Sequence, residues 1–186
     1  MTLLEAVDLK DTYTGQHMRA VARLSELVGL EMGLCASEMR RLLVGALLHD
    51  VGKVLMPYAI LKKSGPLTPE ERKVMELHPE MGSQLVEYYG VLPAAVQAVR
   101  HHHERYDGGG YPDGLRGEEI PLAARIVLAA DAFDSIIRDR SYRRGVVRGE
   151  ALEEITSHAG TQFDPEVVGA LRAAVEHTSP KEPSLD

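Results

Sequence analysis

Residues 42–53 read LLVGALLHDVGK. Leu42, Leu43, Ala46 and Leu47 recur at the spacing of one helix face, because residues three and four apart lie on the same side of an α-helix. The apolar run then closes on His49 and Asp50, where a core stripe should continue. An ionised carboxylate is costly to bury unless it is paired or bound to a cation. The stretch therefore predicts two things together: a buried helix, and a polar centre at its end. We expect this helix to take Ser37 as its N-cap and to stop near Gly52.

Outward from this stretch, nearly every long segment has helical period, and none alternates apolar and polar residues for long enough to make a strand. The expected fold class is all-α, a bundle of about seven helices with the polar centre in its core. Upstream, residues 11–31 place Val21, Leu24 and Val28 on one face. Downstream, TPEE at 68–71 gives a helix start, with Thr68 as N-cap, Pro69 at the first helical position and Glu71 completing a capping box. A fourth helix begins near Pro93 and ends in the histidines 101–103, a glycine-rich loop spans 106–119, and a fifth helix runs from about Pro121 to Arg138. Shorter helices near 148–159 and 165–177 complete one domain over residues 1–178. The closing residues, TSPKEPSLD, are too polar to pack, so 179–186 is expected to be a disordered tail.

Charge and composition narrow the function classes. Lys plus Arg number 21 against 28 for Asp plus Glu, a formal charge of -7 over 186 residues, which repels nucleic-acid polymers and anionic membranes. A phosphate-bearing substrate must then be met by local cations or metal. The single Cys35 can form no internal disulfide, and the opening MTLLEAVDLKDTYTG lacks the order of a signal peptide. A cytoplasmic setting is expected. No uncharged apolar run approaches the roughly 18–20 residues that span a bilayer, so no membrane contact is expected from this segment.

The quoted stretch is not alone in carrying polar residues on an apolar face. His17 lies one turn before Val21 and two before Leu24. His78 follows Val74 by one turn, shares its face with Met81 and Leu85, and precedes Pro79, which should kink the helix and free a carbonyl. His103 follows Val96 and Val99 at one-turn spacing with His102 beside it, whereas His101 falls on the Ala94 and Gln97 flank and reads as peripheral. Asp131 continues the stripe of Val127 and Leu128. One histidine on an apolar face is usually a core residue bonded to a carbonyl. Seven such residues gathered from five segments, two of them carboxylates, are better explained by metal, which supplies the compensating charge for all of them. Imidazole and carboxylate without thiolate suit Fe or Mn, and also Zn. Seven donors exceed one tetrahedral ion, so two divalent ions sharing a carboxylate are expected.

These residues sit in an ordered series: DTYTGQH at 11–17, LLHDVGK at 47–53, HPE at 78–80, HHERYDGGGYPDGLRGEEIPLAARI at 102–126, AADAFDS at 129–135, DRSYR at 139–143 and FDP at 163–165. The series resembles the HD-GYP family, the branch of the HD-domain phosphohydrolases that hydrolyses cyclic di-GMP. The resemblance implies an HD-domain helical bundle in which His17, His49, Asp50, His78, His102, His103 and Asp131 bind two metal ions. Asp50 would bridge them, with His17, His49 and Asp131 on one ion and His78, His102 and His103 on the other. It also implies that Lys53 contacts the scissile phosphate with support from Asp134, and that the product is pGpG, GMP or both. Some members have a glutamate where this chain has Tyr13 and hold a third ion, so two ions are expected here.

In the loop, Gly108, Gly109 and Gly110 permit positive φ and let backbone N–H groups come close to a ligand, while Pro112 stiffens the exit. The resemblance implies that Gly110, Tyr111 and Pro112 lie beside the substrate, with Tyr111 offering a flat face to a guanine or to a protein partner. Arg140 and Arg143 match positions that grip substrate phosphates, although IIRDRS departs from the family pattern nearby. Implied partners are a cyclic di-GMP synthase (GGDEF domain), a sensor or receiver domain, and a second copy paired through the helix ahead of His17. Two other readings stay open: a signalling module that docks partners through the GYP loop, and an HD hydrolase of another nucleotide.

Overall fold

The computed structural model of the chain describes residues 12–140 and 148–178, with side chains over 15–138 and 148–177. Among these residues the regular elements are helical, and the only β feature is an isolated bridge between Ala159 and Phe163. The α-helices are α1 (Thr12–Glu31), α2 (Ala36–Leu48), α3 (Tyr58–Leu61), α4 (Pro69–Met75), α5 (His78–Tyr88), α6 (Pro93–His101), α7 (Leu122–Arg140), α8 (Arg148–Ser157) and α9 (Pro165–Thr178). Short 3-10 turns at Val51–Leu55 and Gly117–Glu119 join them. The tail expected at 179–186 lies outside the described residues.

Three boundaries differ from the expectation. Helix α2 starts at Ala36 with Cys35, not Ser37, at the cap. The Glu38 carboxylate accepts the Cys35 N–H at 2.9 Å, so an acid at the third helical position reaches back to the cap residue's own N–H, one half of a capping box. At its other end α2 stops at Leu48, short of Gly52, and the chain tightens into the 3-10 turn that carries Lys53. The helix expected onward from Thr68 is two helices. Its capping box forms, with Thr68 N–H donating to Glu71 at 2.7 Å, but Pro79 has no N–H to offer Met75 and its ring crowds that carbonyl. The chain breaks at Glu76 and Leu77 and restarts at His78.

Two apolar cores hold these pieces together. The larger is built where α1, α2, α7, α8 and α9 meet, from Val21, Val28, Leu42, Ile126, Val127, Ile155 and Leu171 among others, all buried. The smaller gathers Met18, Leu48, Val51, Val86, Val96 and Val99. Each large aliphatic side chain in either core contributes about 1.5–3 kcal/mol through burial. Helix α2 gives Leu42 and Ala46 to the first core and Leu48 to the second, so its end carries His49 and Asp50 into the seam between them. The 3-10 turn is pressed onto α5 there: a Cβ on Gly52 would meet the His78 carbonyl oxygen and the Gly82 nitrogen. Glycine at 52 thus lets two backbones touch and brings Asp50 up to His78.

Candidate metal centre

Three histidines are oriented by the same local device. The Nδ1 of His49 lies 2.8 Å from the Ala46 carbonyl, that of His78 2.8 Å from the Met75 carbonyl, and that of His102 2.7 Å from the Val99 carbonyl. A carbonyl only accepts, so each Nδ1 carries the hydrogen and each Nε2 is left with a lone pair. The Met75 carbonyl is the one that Pro79 cannot use, so the helix break supplies the acceptor that orients His78.

The freed lone pairs converge on a buried carboxylate. Asp50 Oδ1 lies 3.2 Å from His78 Nε2 and 3.9 Å from His102 Nε2, and Oδ2 lies 3.4 Å from His49 Nε2. His78 Nε2 and His102 Nε2 face each other at 3.3 Å, and His49 Nε2 is buried with no hydrogen-bond partner among the described residues. Lone pairs that face one another and an ionised oxygen are satisfied by a cation placed among them. Two groups of donor atoms, each within 4.8 Å of one another, fit such ions: Asp50, His78, His102 and His103, and His17, His49 and Asp50. Asp50 belongs to both. Asp131 joins through His17, whose Nε2 lies 2.9 Å from Asp131 Oδ1.

Electrostatics divides the cluster. Burial opposes a charged His17 ring, but hydrogen bonds to Asp131 and Asp134 outweigh it and raise its pKa from 6.5 to about 9. Burial and then the neighbouring imidazoles hold His102 well below the usual histidine range. Burial and then His78 lower His103 to about 3. Burial also opposes charge on Asp50, yet the Lys53 ammonium keeps it ionised well below the ordinary carboxylate range. Lys53 Nζ sits 2.6 Å from Asp50 Oδ2, so its ammonium faces the centre. Asp134 Oδ2 holds His17 Nδ1 at 2.6 Å and also takes the Arg138 guanidinium. It acts as an orienting partner for His17.

The rim of the centre is the glycine-rich loop. Tyr111 stacks on His103 with ring centroids 4.9 Å apart and planes at 25°, and its phenol pKa is pushed up by burial and then by the charges of Glu76 and Asp50. Gly110 sits where a Cβ would meet Arg105 N, Glu104 Cα and His103 O; Pro112 follows through a cis peptide bond. His101, read from the sequence as peripheral, is buried: its Nδ1 lies 3.0 Å from the Gln97 carbonyl and its Nε2 2.9 Å from Asp113 Oδ2. Its pairing with the loop draws it inward while keeping it out of the donor cluster. Glu104 was not anticipated at all. It is fully buried and its carboxylate accepts three backbone N–H groups, from Asp113, Gly114 and Leu115. The sequence signal was present only as a loop whose donors needed an acceptor, with Glu104, Asp107 and Asp113 equally placed to serve. Arg143 lies outside the described residues, as do the side chains of Tyr13 and Arg140.

A family model described as an HD domain matches residues 2–167. The chain is 40% identical over 172 residues to the cyclic di-GMP phosphodiesterase response regulator RpfG of Xanthomonas campestris pv. campestris, covering 91% of this chain and 45% of that protein. It is 35% identical over 171 residues to a 3'3'-cGAMP-specific phosphodiesterase of Vibrio cholerae, covering 91% of this chain and 33% of that one. Among solved structures, an HDG"Y"P protein from Bdellovibrio bacteriovorus superposes with a TM-score of 0.72 at 25% identity, over 89% of this chain and 53% of that one. The chain thus spans less than half the length of the curated relatives it is compared with here.

Proposed function

The chain belongs to the HD-domain family and carries the motif series of its HD-GYP branch, and on that footing we propose that it is a metal-dependent phosphodiesterase hydrolysing cyclic di-GMP to pGpG, GMP or both. The observation that carries the reading is the convergence of imidazole lone pairs on Asp50, the carboxylate common to both donor groups. Two divalent ions, Fe or Mn ahead of Zn, are assigned to His17, His49, Asp50 and Asp131 on one side and to Asp50, His78, His102 and His103 on the other. When bound, such ions polarise phosphoryl oxygens and make water a competent nucleophile at neutral pH.

The chain's own residues supply orientation and charge. Carbonyls of Ala46, Met75 and Val99 lock three rings in the tautomer that presents Nε2. Asp134 fixes His17. Lys53 stands beside Asp50 as a fixed positive charge for the scissile phosphate. Gly110, Tyr111 and Pro112 form one wall of the substrate cleft, and Arg140 and Arg143 are assigned to the remaining phosphate contacts. The domain assigned to this work is 1–178. A cyclic di-GMP synthase, a sensor or receiver domain and a second copy are the proposed partners, a nucleic-acid polymer is not among them, and the cytoplasm is the proposed location.

The likeness to a 3'3'-cGAMP-specific enzyme favours one second reading, hydrolysis of a mixed cyclic dinucleotide. The test is chromatography of products after anaerobic loading with Fe(II) or Mn(II), with cyclic di-GMP and 3'3'-cGAMP offered separately and metal counted in the same sample. Turnover of cyclic di-GMP with about two ions per chain is expected. Cleavage of 3'3'-cGAMP alone would transfer the assignment, and no turnover of either by fully loaded protein would leave a docking module.

A further inference from the structure

The glycine-rich loop is fastened to the protein at three places. On one limb, Tyr106 N–H donates to the Gln162 carbonyl at 3.1 Å and Asp107 N–H to the Thr161 carbonyl at 2.7 Å. At the far end, Arg100 holds Asp113 through two bonds of 2.8 Å, and His101 holds the same carboxylate at 2.9 Å. Between them, at distances of 2.7, 3.0 and 3.1 Å, the buried Glu104 carboxylate takes the N–H groups of Asp113, Gly114 and Leu115. Three consecutive donors on one fully buried carboxylate form a charge-assisted anchor. Removing it would leave the turn after Pro112 with unsatisfied donors.

Position makes the anchor functional. Glu104 directly follows His102 and His103 in the chain, so the same short segment that presents two ring donors also holds the strand of loop returning past them. Tyr111, two residues before the first anchored N–H, donates its own N–H to the His103 carbonyl at 3.3 Å and lies flat on the His103 ring. We infer that Glu104, seconded by the Asp113 clasp, is a positioning residue: it fixes Tyr111 against His103 as a preformed wall of the substrate cleft. Its effect on the reaction is to orient substrate, leaving metal binding to the histidines. The arm that concerns substrate rests on the phosphodiesterase reading; the anchor itself does not.

The test compares metal-loaded wild type with Glu104→Gln and Asp113→Asn in the full chain. In Glu104→Gln one carboxylate oxygen becomes an amide donor facing Leu115 N–H, so a bond is replaced by a clash of donors. Asp113→Asn weakens the clasp from the exposed side and leaves the Glu104 carboxylate in place, which keeps the proposal testable if the glutamate variant folds poorly. Hydrogen exchange of the amides at 113–115 is expected to quicken roughly tenfold or more in Glu104→Gln. Two metals per chain should be retained, and KM for cyclic di-GMP should rise by about tenfold while kcat changes little. Unchanged exchange at 113–115 would overturn the anchor. Faster exchange with unchanged KM, or loss of metal with a fall in kcat, would overturn the positioning role. If wild type turns over no cyclic dinucleotide, the functional reading fails on its own while the exchange arm still decides the anchor.

Discussion

Asp50 touches the histidines of both donor groups and the Lys53 ammonium while fully enclosed. A carboxylate so placed is stable as an anion only because each neighbour can be or can bring a positive charge. Removing it therefore acts differently from removing any one histidine, since both donor groups lose a member at once. Asp50→Ala is expected to abolish binding of both ions and all turnover while leaving the far-ultraviolet helical signal nearly unchanged, because the two apolar cores do not depend on it. Metal analysis and circular dichroism on the same preparation check this. An active variant with one ion still bound would show that Asp50 is not shared.

Among the elements, the 3-10 turn after α2 is the least forgiving, because Gly52 lies against the backbone of α5 with no space for a methyl group. Gly52→Ala should destabilise the domain by about 1–3 kcal/mol, the usual cost of overpacking, and should move Asp50 away from His78 with a parallel loss of metal. Urea denaturation with metal analysis measures both. The glycine-rich loop responds instead to acid. Arg100 outweighs the modest burial of Asp113 and lowers its pKa from 3.8 to about 2, so the stability it contributes is present above the unfolded value and lost as pH falls from about 4 through 2. Exchange of the loop amides should quicken over that window in wild type, and Asp113→Asn should flatten the change. These elements also show what the sequence could disclose. Periodicity located α2, α6 and α7 and put His49 and Asp50 at the end of the first, His102 and His103 at the end of the second and Asp131 on the apolar stripe of the third, since helix geometry alone fixes which residues share a side. Pro79 announced the break that frees the Met75 carbonyl. The start of α2 was misplaced because Ser37 and Glu38 both suit a helix start, and only the fold selects the acid. Glu104 stayed hidden because its partners are backbone donors nine to eleven residues away, which no side-chain pattern records.

At the scale of the molecule, the centre lies in the seam where the larger core meets the smaller one, so metal binding and global stability should be linked. The donors come from α1, α2, α5, α6 and α7 and their ends, and an ion that binds this assembly but not the unfolded chain stabilises the native state by mass action. At a free concentration one hundred times the dissociation constant, that contribution is about 2.7 kcal/mol per site. For a chain of this size each kcal/mol raises the melting temperature by about 2–4 °C, so filling one site should raise it by roughly 5–10 °C, and a second site should add to that. Melting is to be followed by circular dichroism at 222 nm after chelator treatment and again after anaerobic return of Fe(II) or Mn(II). Asp50→Ala is expected to melt at one temperature in both conditions. A metal-dependent rise that survives in that variant would mean that the stabilising ion sits somewhere other than the Asp50 cluster, and that the two cores are joined across the seam by some other means.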